Sequence, residues 1–167
     1  MQSKTKKIVA SALIAALVCV VTMIIHVPSP LKGYLNLGDC MVLMAGWMLP
    51  PAYAFAAAGL GSALADLLTG YTAYAPATFL IKGLMALVAL ACFKLLGGRM
   101  GKLPARIVAG LLAEIVMVMG YFVFEGFLYG FGPAALNIPA NAVQGAAGLL
   151  IGVVLSKALE KARISLS

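Results

Sequence analysis

Apolar residues fill positions 8–25 almost without interruption, a run long enough to cross the ~30 Å hydrocarbon layer of a bilayer as a helix. It predicts a first helix over residues 7–25. A polar segment follows over residues 26–39, broken by Pro28, Pro30 and Gly33. The next apolar run, 40–49, is short for a full span and ends at Pro50-Pro51. Residues 52–69 form a third helix rich in Ala and Gly. Residues 70–76 read as a turn whose Pro76 opens a fourth helix, reaching about Leu96. A basic loop, 97–104, leads to a fifth helix ending near Phe127, and a loop with Gly and Pro leads to a sixth over 137–161. The expectation is one all-α integral membrane domain over residues 1–167, a bundle of six transmembrane helices. The chain carries no sequence repeat of the kind that marks inverted transporter halves.

Within these runs the polar residues fall in stripes. Ser62, Asp66 and Thr69 lie at i, i+4 and i+7 on helix three, and Thr78 and Lys82 are four apart on helix four. Glu114, Tyr121 and Glu125 share a face of helix five, and Asn137, Asn141 and Gln144 one of helix six. An ionisable group inside a bilayer costs at least ~2.5–3.5 kcal/mol on insertion scales, so each needs a reason to be there. Small residues form a second pattern: Ser11, Ala15 and Cys19, beside Ala12 and Ala16, make two adjacent stripes on helix one. Such residues let helix backbones approach closely in lipid. Two stripes are more than one neighbour needs.

Composition agrees with the membrane reading. Hydrophobic residues make up 63% of the 167 positions and charged ones 10%, with a mean hydropathy of +1.07. A soluble exterior cannot be built from so few charges. The opening segment resembles a signal peptide, but its apolar run is too long and His26-Val-Pro-Ser-Pro30 is no small-residue cleavage site. The net charge of +7 is a topology signal and does not point to nucleic acid. Ten of the twelve Lys and Arg cluster before helix one, around residues 94–106, and at the end of the chain up to Arg163. With six helices all three clusters fall on one side, which places both termini and the 97–104 loop in the cytoplasm.

That orientation puts Asp66, Tyr121 and Glu125 near external helix ends, and Lys82 and Gln144 about 10 Å in from external starts at 1.5 Å per residue. The stripes then describe a polar pocket open to the outside and closed below by apolar packing, with Glu114 alone near mid-membrane. Plainer readings stand beside this one. Asp66 and Lys82 fit a buried ion pair, Asn137 an N-cap with Pro139 in its first turn, and Trp47, Tyr71 and Tyr74 interfacial anchors. Asn141 and Gln144 sit too deep for capping and point to a ligand or another helix.

Other chemistry is excluded. Cys19, Cys40 and Cys92 have neither CxxC spacing nor a nearby His, so they carry no metal or redox signal. Residues 97–102 imitate a phosphate loop one residue short, and Leu103 stands where Ser or Thr is required. His26 is the sole histidine, and no nucleophile sits with a base. No catalytic residue, cofactor or metal ligand is expected.

Tyr34-Leu-Asn-Leu-Gly-Asp39, Gly61-Ser-Ala-Leu-Ala-Asp66, Gly70-Tyr71 and Tyr74-Ala-Pro-Ala-Thr78-Phe-Leu-Ile-Lys82-Gly83 together resemble the substrate-binding S components of energy-coupling factor (ECF) vitamin transporters. The likeness covers nearly the whole chain and is nearest the riboflavin, hydroxymethylpyrimidine and pyridoxine group. It implies a bacterial plasma-membrane protein that binds a small vitamin and has no ATPase of its own. It also implies partners, a transmembrane scaffold subunit and two cytoplasmic ATPases, with Ala12 and Ala16 docking on the scaffold. By that resemblance Asn36 and Asp39 cover the pocket. Asp66, Tyr71, Tyr74, Thr78, Lys82, Tyr121, Asn137, Asn141 and Gln144 line it. Two rival readings are a stand-alone carrier using Asp66 or Glu114 as a proton site, and a membrane scaffold without a ligand.

Overall fold

A computed structural model describes residues 4–28 and 34–162; Pro30, Gly33 and Arg163 lie outside them. The described residues are helical apart from one hairpin and the connecting turns: α1 (Lys4–Ile24), β1 (His26–Pro28), β2 (Tyr34–Asn36), α2 (Asp39–Met48), α3 (Pro51–Thr69), α4 (Ala75–Met100), α5 (Lys102–Tyr129), α6 (Phe131–Ala135) and α7 (Ile138–Lys161). Five segments are long and apolar enough to cross a membrane: α1, α3, α4, α5, and α6 with α7. The expected second span is the ten-residue α2, only about 15 Å long.

α2 can be short because it is the centre of the bundle. It is apolar on all sides, which requires burial all round, and eight of its ten residues are buried. It packs on α1, α3, α4 and α7. Val42, Leu43, Met44 and Ala45 meet Ile14 and Val18 of α1, Ala54 and Ala58 of α3, Met85, Ala86 and Ala89 of α4, and Met117 of α5 in one apolar core. Outside, Leu13, Leu64, Leu80, Leu111 and Leu150 are exposed. A bundle with leucine on its outer surface is built for lipid.

The two small-residue stripes of α1 have different fates. Ala15 belongs to the face packed on α3, where a Cβ on Gly61 would come within 2.5 Å of the Ala15 carbonyl oxygen. Ala12 and Ala16 are exposed.

Several local expectations are corrected. The 26–39 segment is not only loop: His26–Pro28 pairs antiparallel with Tyr34–Asn36, with Val27 opposite Leu35. The basic loop shrinks almost to one residue, because α4 continues through Gly97 and Gly98 to Met100 and α5 starts at Lys102. Gly101, at φ +82°, makes the turn, a conformation glycine adopts without penalty. Trp47 is no interfacial anchor, being only 8% exposed within the core. Arg106 is buried too. Its guanidinium stacks near the rings of Phe93 and Trp47, 5.1 and 5.9 Å from their centroids, and donates to Glu160 at 2.9 Å.

Candidate functional site: a polar cavity beneath the hairpin

Each polar stripe turns at least two of its residues inward at the end of the bundle that carries the hairpin, while Thr69 and Glu114 stay out of the lining. Thr22, Tyr34, Asn36, Ser62, Asp66, Tyr74, Thr78, Lys82, Tyr121, Glu125, Asn137, Asn141 and Gln144 line one cavity of about 30 Å³. Space of that size admits water but not an organic ring.

The floor is ionic. Lys82, 2% exposed, donates to Asp39 Oδ1, and Gln144 Nε2 donates to Asp39 Oδ2 at 2.6 Å. Asp39, fully buried, opens α2, where a carboxylate complements the helix dipole. Glycine makes room for it: a Cβ on Gly148 of α7 would lie 2.7 Å from the Asp39 Cβ. The expected Asp66–Lys82 pair is therefore replaced by Asp39–Lys82. The Lys82 ammonium also lies 5.5 Å from the centre of the Tyr121 ring.

The hairpin forms the roof. Tyr34 donates its hydroxyl to Asp66 Oδ1 at 2.6 Å, and the Asn36 amide N–H donates to Gln144 Oε1 at 2.9 Å. Burial and the neighbouring Asp66 carboxylate push the Tyr34 phenol well above its usual range, so it remains a donor. Asn36 Oδ1 accepts from the Gly38 N–H at 2.9 Å, fixing the bend between β2 and α2.

A third cluster closes the α5–α7 side. Asn137 Nδ2 donates to both Glu125 oxygens at 3.0 Å, and the Tyr74 hydroxyl donates to Glu125 Oε1 at 3.3 Å. Asn137 occupies the N-cap position of α7 without making a side-chain cap bond, which corrects the capping reading. Its Oδ1 is buried without a hydrogen-bond partner among the described residues. Thr78 and Tyr121 share a hydrogen bond of 3.1 Å. Below Lys82 the space is filled by Leu43, Met85, Ala86, Ala89 and Met117.

Two expected site residues stand elsewhere. Asp39 lies under the cavity, gripping Lys82 and Gln144. Tyr71 lies outside the lining, its ring 4.7 Å from that of Tyr34. Tyr74 is buried against Glu125, so it is not an interfacial anchor. Thr69 turns back to the Ala65 carbonyl. Thr22, Tyr34, Ser62 and Glu125 line the cavity as well, Thr22 and Tyr34 without having been placed in the pocket from the sequence. Ser62 and Glu125 were visible on their stripes, whereas Thr22 is a lone hydroxyl at the end of an apolar run.

Comparison with known proteins decides the family. A profile of the ECF-type riboflavin transporter S component family matches residues 2–161. The chain belongs to this family. It is a multi-pass membrane protein, the substrate-binding component of a vitamin transporter, and not an enzyme. A thiamine precursor transporter of Lactococcus lactis subsp. cremoris (strain MG1363) is 29% identical over 161 residues, 95% of this chain and 90% of its own. An uncharacterized protein of Pyrococcus woesei is 35% identical over 145 residues, 86% of this chain and 95% of its own. A solved structure titled as the S component of a bacterial ECF transporter superposes with a TM-score of 0.78 and 22% identity, covering 95% of this chain and 98% of that one. The bundle around a short α2 is the S-component fold.

Proposed function

We propose that this S component captures a small, single-ring heteroaromatic vitamin or vitamin precursor from outside the cell, in the cavity beneath the hairpin. The observation that carries the reading is the chemistry of the lining. Two buried carboxyls, Asp66 and Glu125, line the cavity, while its one ammonium, Lys82, is already held by Asp39. Such a lining is rich in acceptors. It favours a neutral or cationic ring bearing amino or hydroxyl donors over an anionic ligand. Asn137 Oδ1, Asn141 and Tyr121 add polar positions around the ring plane. Asn36, Tyr74, Thr78 and Gln144 complete the site, and Asp39 and Tyr71 support it.

The cavity's size favours one ring over the three fused rings of riboflavin, because any ligand must displace the hairpin and a small one displaces it least. A pyrimidine of the thiamine-precursor type or a pyridine of the pyridoxine type fits this chemistry. In this reading the chain is one domain that crosses a bacterial plasma membrane six times, the short α2 counting as one crossing. Both termini and the basic end are cytoplasmic. A scaffold subunit, seated on the Ala12 and Ala16 face of α1, and two cytoplasmic ATPases complete the importer.

Native mass spectrometry of detergent-purified protein, followed by titration calorimetry, tests the proposal. A co-purifying mass of a single-ring vitamin or precursor, bound tightly on titration, is expected. Tight binding of riboflavin alone overturns the single-ring assignment. Failure of riboflavin, pyridoxine and hydroxymethylpyrimidine alike overturns the placement of the site.

A further inference from the structure

At the basic end of the bundle the short α2 stops early. Met48 ends it, and Leu49-Pro50-Pro51 turns the chain straight into α3, while α4 runs on to Met100. Beside this turn lies a groove of about 320 Å³, lined from the start of α1 to the last turns of α4. Its wall is apolar, with Trp47, Leu49, Leu90 and Phe93. Two cations complete it, Lys7 from α1 and Lys94 from α4, and no Asp or Glu stands among the lining residues described. Lys94 is exposed and Lys7 half-buried. Neither is paired with a carboxylate among the described residues. An anion placed between two like charges relieves their repulsion.

We propose that this groove holds one anionic phospholipid, its headgroup phosphate on Lys7 and Lys94 and part of an acyl chain against the apolar wall. Depth is the first argument. α4, with 26 residues, is about 39 Å long, against ~30 Å of hydrocarbon. Lys94 lies six residues, about 9 Å, before its end, and Lys7 three residues, about 4.5 Å, after the start of α1. Both therefore stand within about one helical turn of the boundary where phosphates lie, in reach of a lysine that snorkels. Size narrows the occupant. One turn of a partner helix ~10 Å across fills about 420 Å³, more than the groove holds, whereas a slender acyl segment fits. A free anion would meet the lysines but leave the apolar wall uncovered. Basic pockets between membrane helices select anionic headgroups. This assignment depends neither on the vitamin nor on which side of the membrane the basic end faces.

The test is native mass spectrometry of the protein in detergent, titrated with phosphatidylglycerol and with phosphatidylcholine of the same acyl chains. One phosphatidylglycerol per chain is expected to be held about tenfold or more tightly than phosphatidylcholine. Lys7→Gln with Lys94→Gln is expected to abolish that preference. Arg99→Gln with Lys157→Gln removes as much charge from the same end but outside the groove, and is expected to keep it. Equal retention of the two lipids overturns the proposal, and so does a preference that survives the lysine variant. Loss of preference in both double variants overturns it in favour of a diffuse surface field. Displacement of the lipid by millimolar glycerol phosphate overturns it in favour of a soluble anion, and a dimer that the lysine variant breaks does so in favour of a second copy of the chain.

Discussion

The Lys82 ammonium on α4 is held by Asp39 at the start of α2, not by Asp66 one helix away. This contact ties the central helix to the wall of the bundle at the level of the candidate site. Removing one partner of a buried pair strands the other and typically costs ~3–5 kcal/mol. Lys82→Ala is therefore expected to lower the thermal midpoint in detergent sharply. The double variant Asp39→Asn with Lys82→Met is expected to recover most of the loss, since no charge is then stranded. Equal destabilisation by the single and double variants would show that the pair does not support the fold.

The two amides of α7 separate binding from stability. Gln144 holds the Asn36 N–H and the Asp39 carboxylate at once, so Gln144→Ala is expected to lower both stability and vitamin affinity. Asn141 lines the same cavity and makes neither of those contacts. Asn141→Ala is expected to weaken the vitamin about ten- to a hundredfold, the cost of an unsatisfied buried partner, while unfolding as the native protein does. Unchanged affinity in well-folded Asn141→Ala would remove this residue from the site.

The helices and their stripes were legible because periodicity is a property of the sequence alone. Partner choice was not. Asp66 and Lys82 look matched along the chain, yet burying α2 brings Asp39 to Lys82 and leaves Asp66 to Tyr34. The hairpin escaped notice because strands of three residues are too short to show alternation. Gly97 and Gly98 opened the expected basic loop, but glycine costs only ~1 kcal/mol per position in a helix, and α4 runs through both. Trp47 was assigned by residue type to an interface, whereas the glycines facing it, Gly110 and Gly152, open room for it in the core.

Tyr34 and Asn36 pin the hairpin over a cavity with room for water but not for a ring, so under the proposed function a ligand enters or leaves only when those bonds break. A hydrogen bond to a charged acceptor contributes ~1.5–3 kcal/mol. Tyr34→Phe removes the bond to Asp66 while keeping the ring against Tyr71. Vitamin dissociation is expected to accelerate by about tenfold or more in stopped-flow measurements, and the thermal midpoint to fall as well, because the buried Asp66 carboxylate loses a donor. An unaltered dissociation rate would show that the roof does not control exit.

Orientation is open to a direct test at the basic end. Gly98 lies in α4 with open space around it, so a side chain there meets nothing. Gly98→Cys, combined with replacement of the three native cysteines by Ala, is expected to resist an impermeant maleimide in intact cells and to label after lysis. Labelling from outside would reverse the orientation and turn the hairpin toward the cytoplasm.

Helix α1 makes the sharpest contrast between packing inside the chain and docking outside it. Gly61 meets the Ala15 carbonyl so closely that any Cβ collides with backbone, and Gly61→Leu is expected to prevent folding or to cost several kcal/mol, as overpacking does. Ala12 lies on the adjacent, exposed stripe. Ala12→Trp adds bulk on an exposed face of α1, so the fold and vitamin affinity of the isolated protein are expected to be unchanged. Close helix approach in lipid depends on small residues, so the same substitution is expected to abolish co-purification with the scaffold subunit and uptake by cells. Calorimetry on the purified variant and pull-down with the scaffold separate the two effects. A complex that survives both Ala12→Trp and Ala16→Trp would place the docking face elsewhere on the bundle.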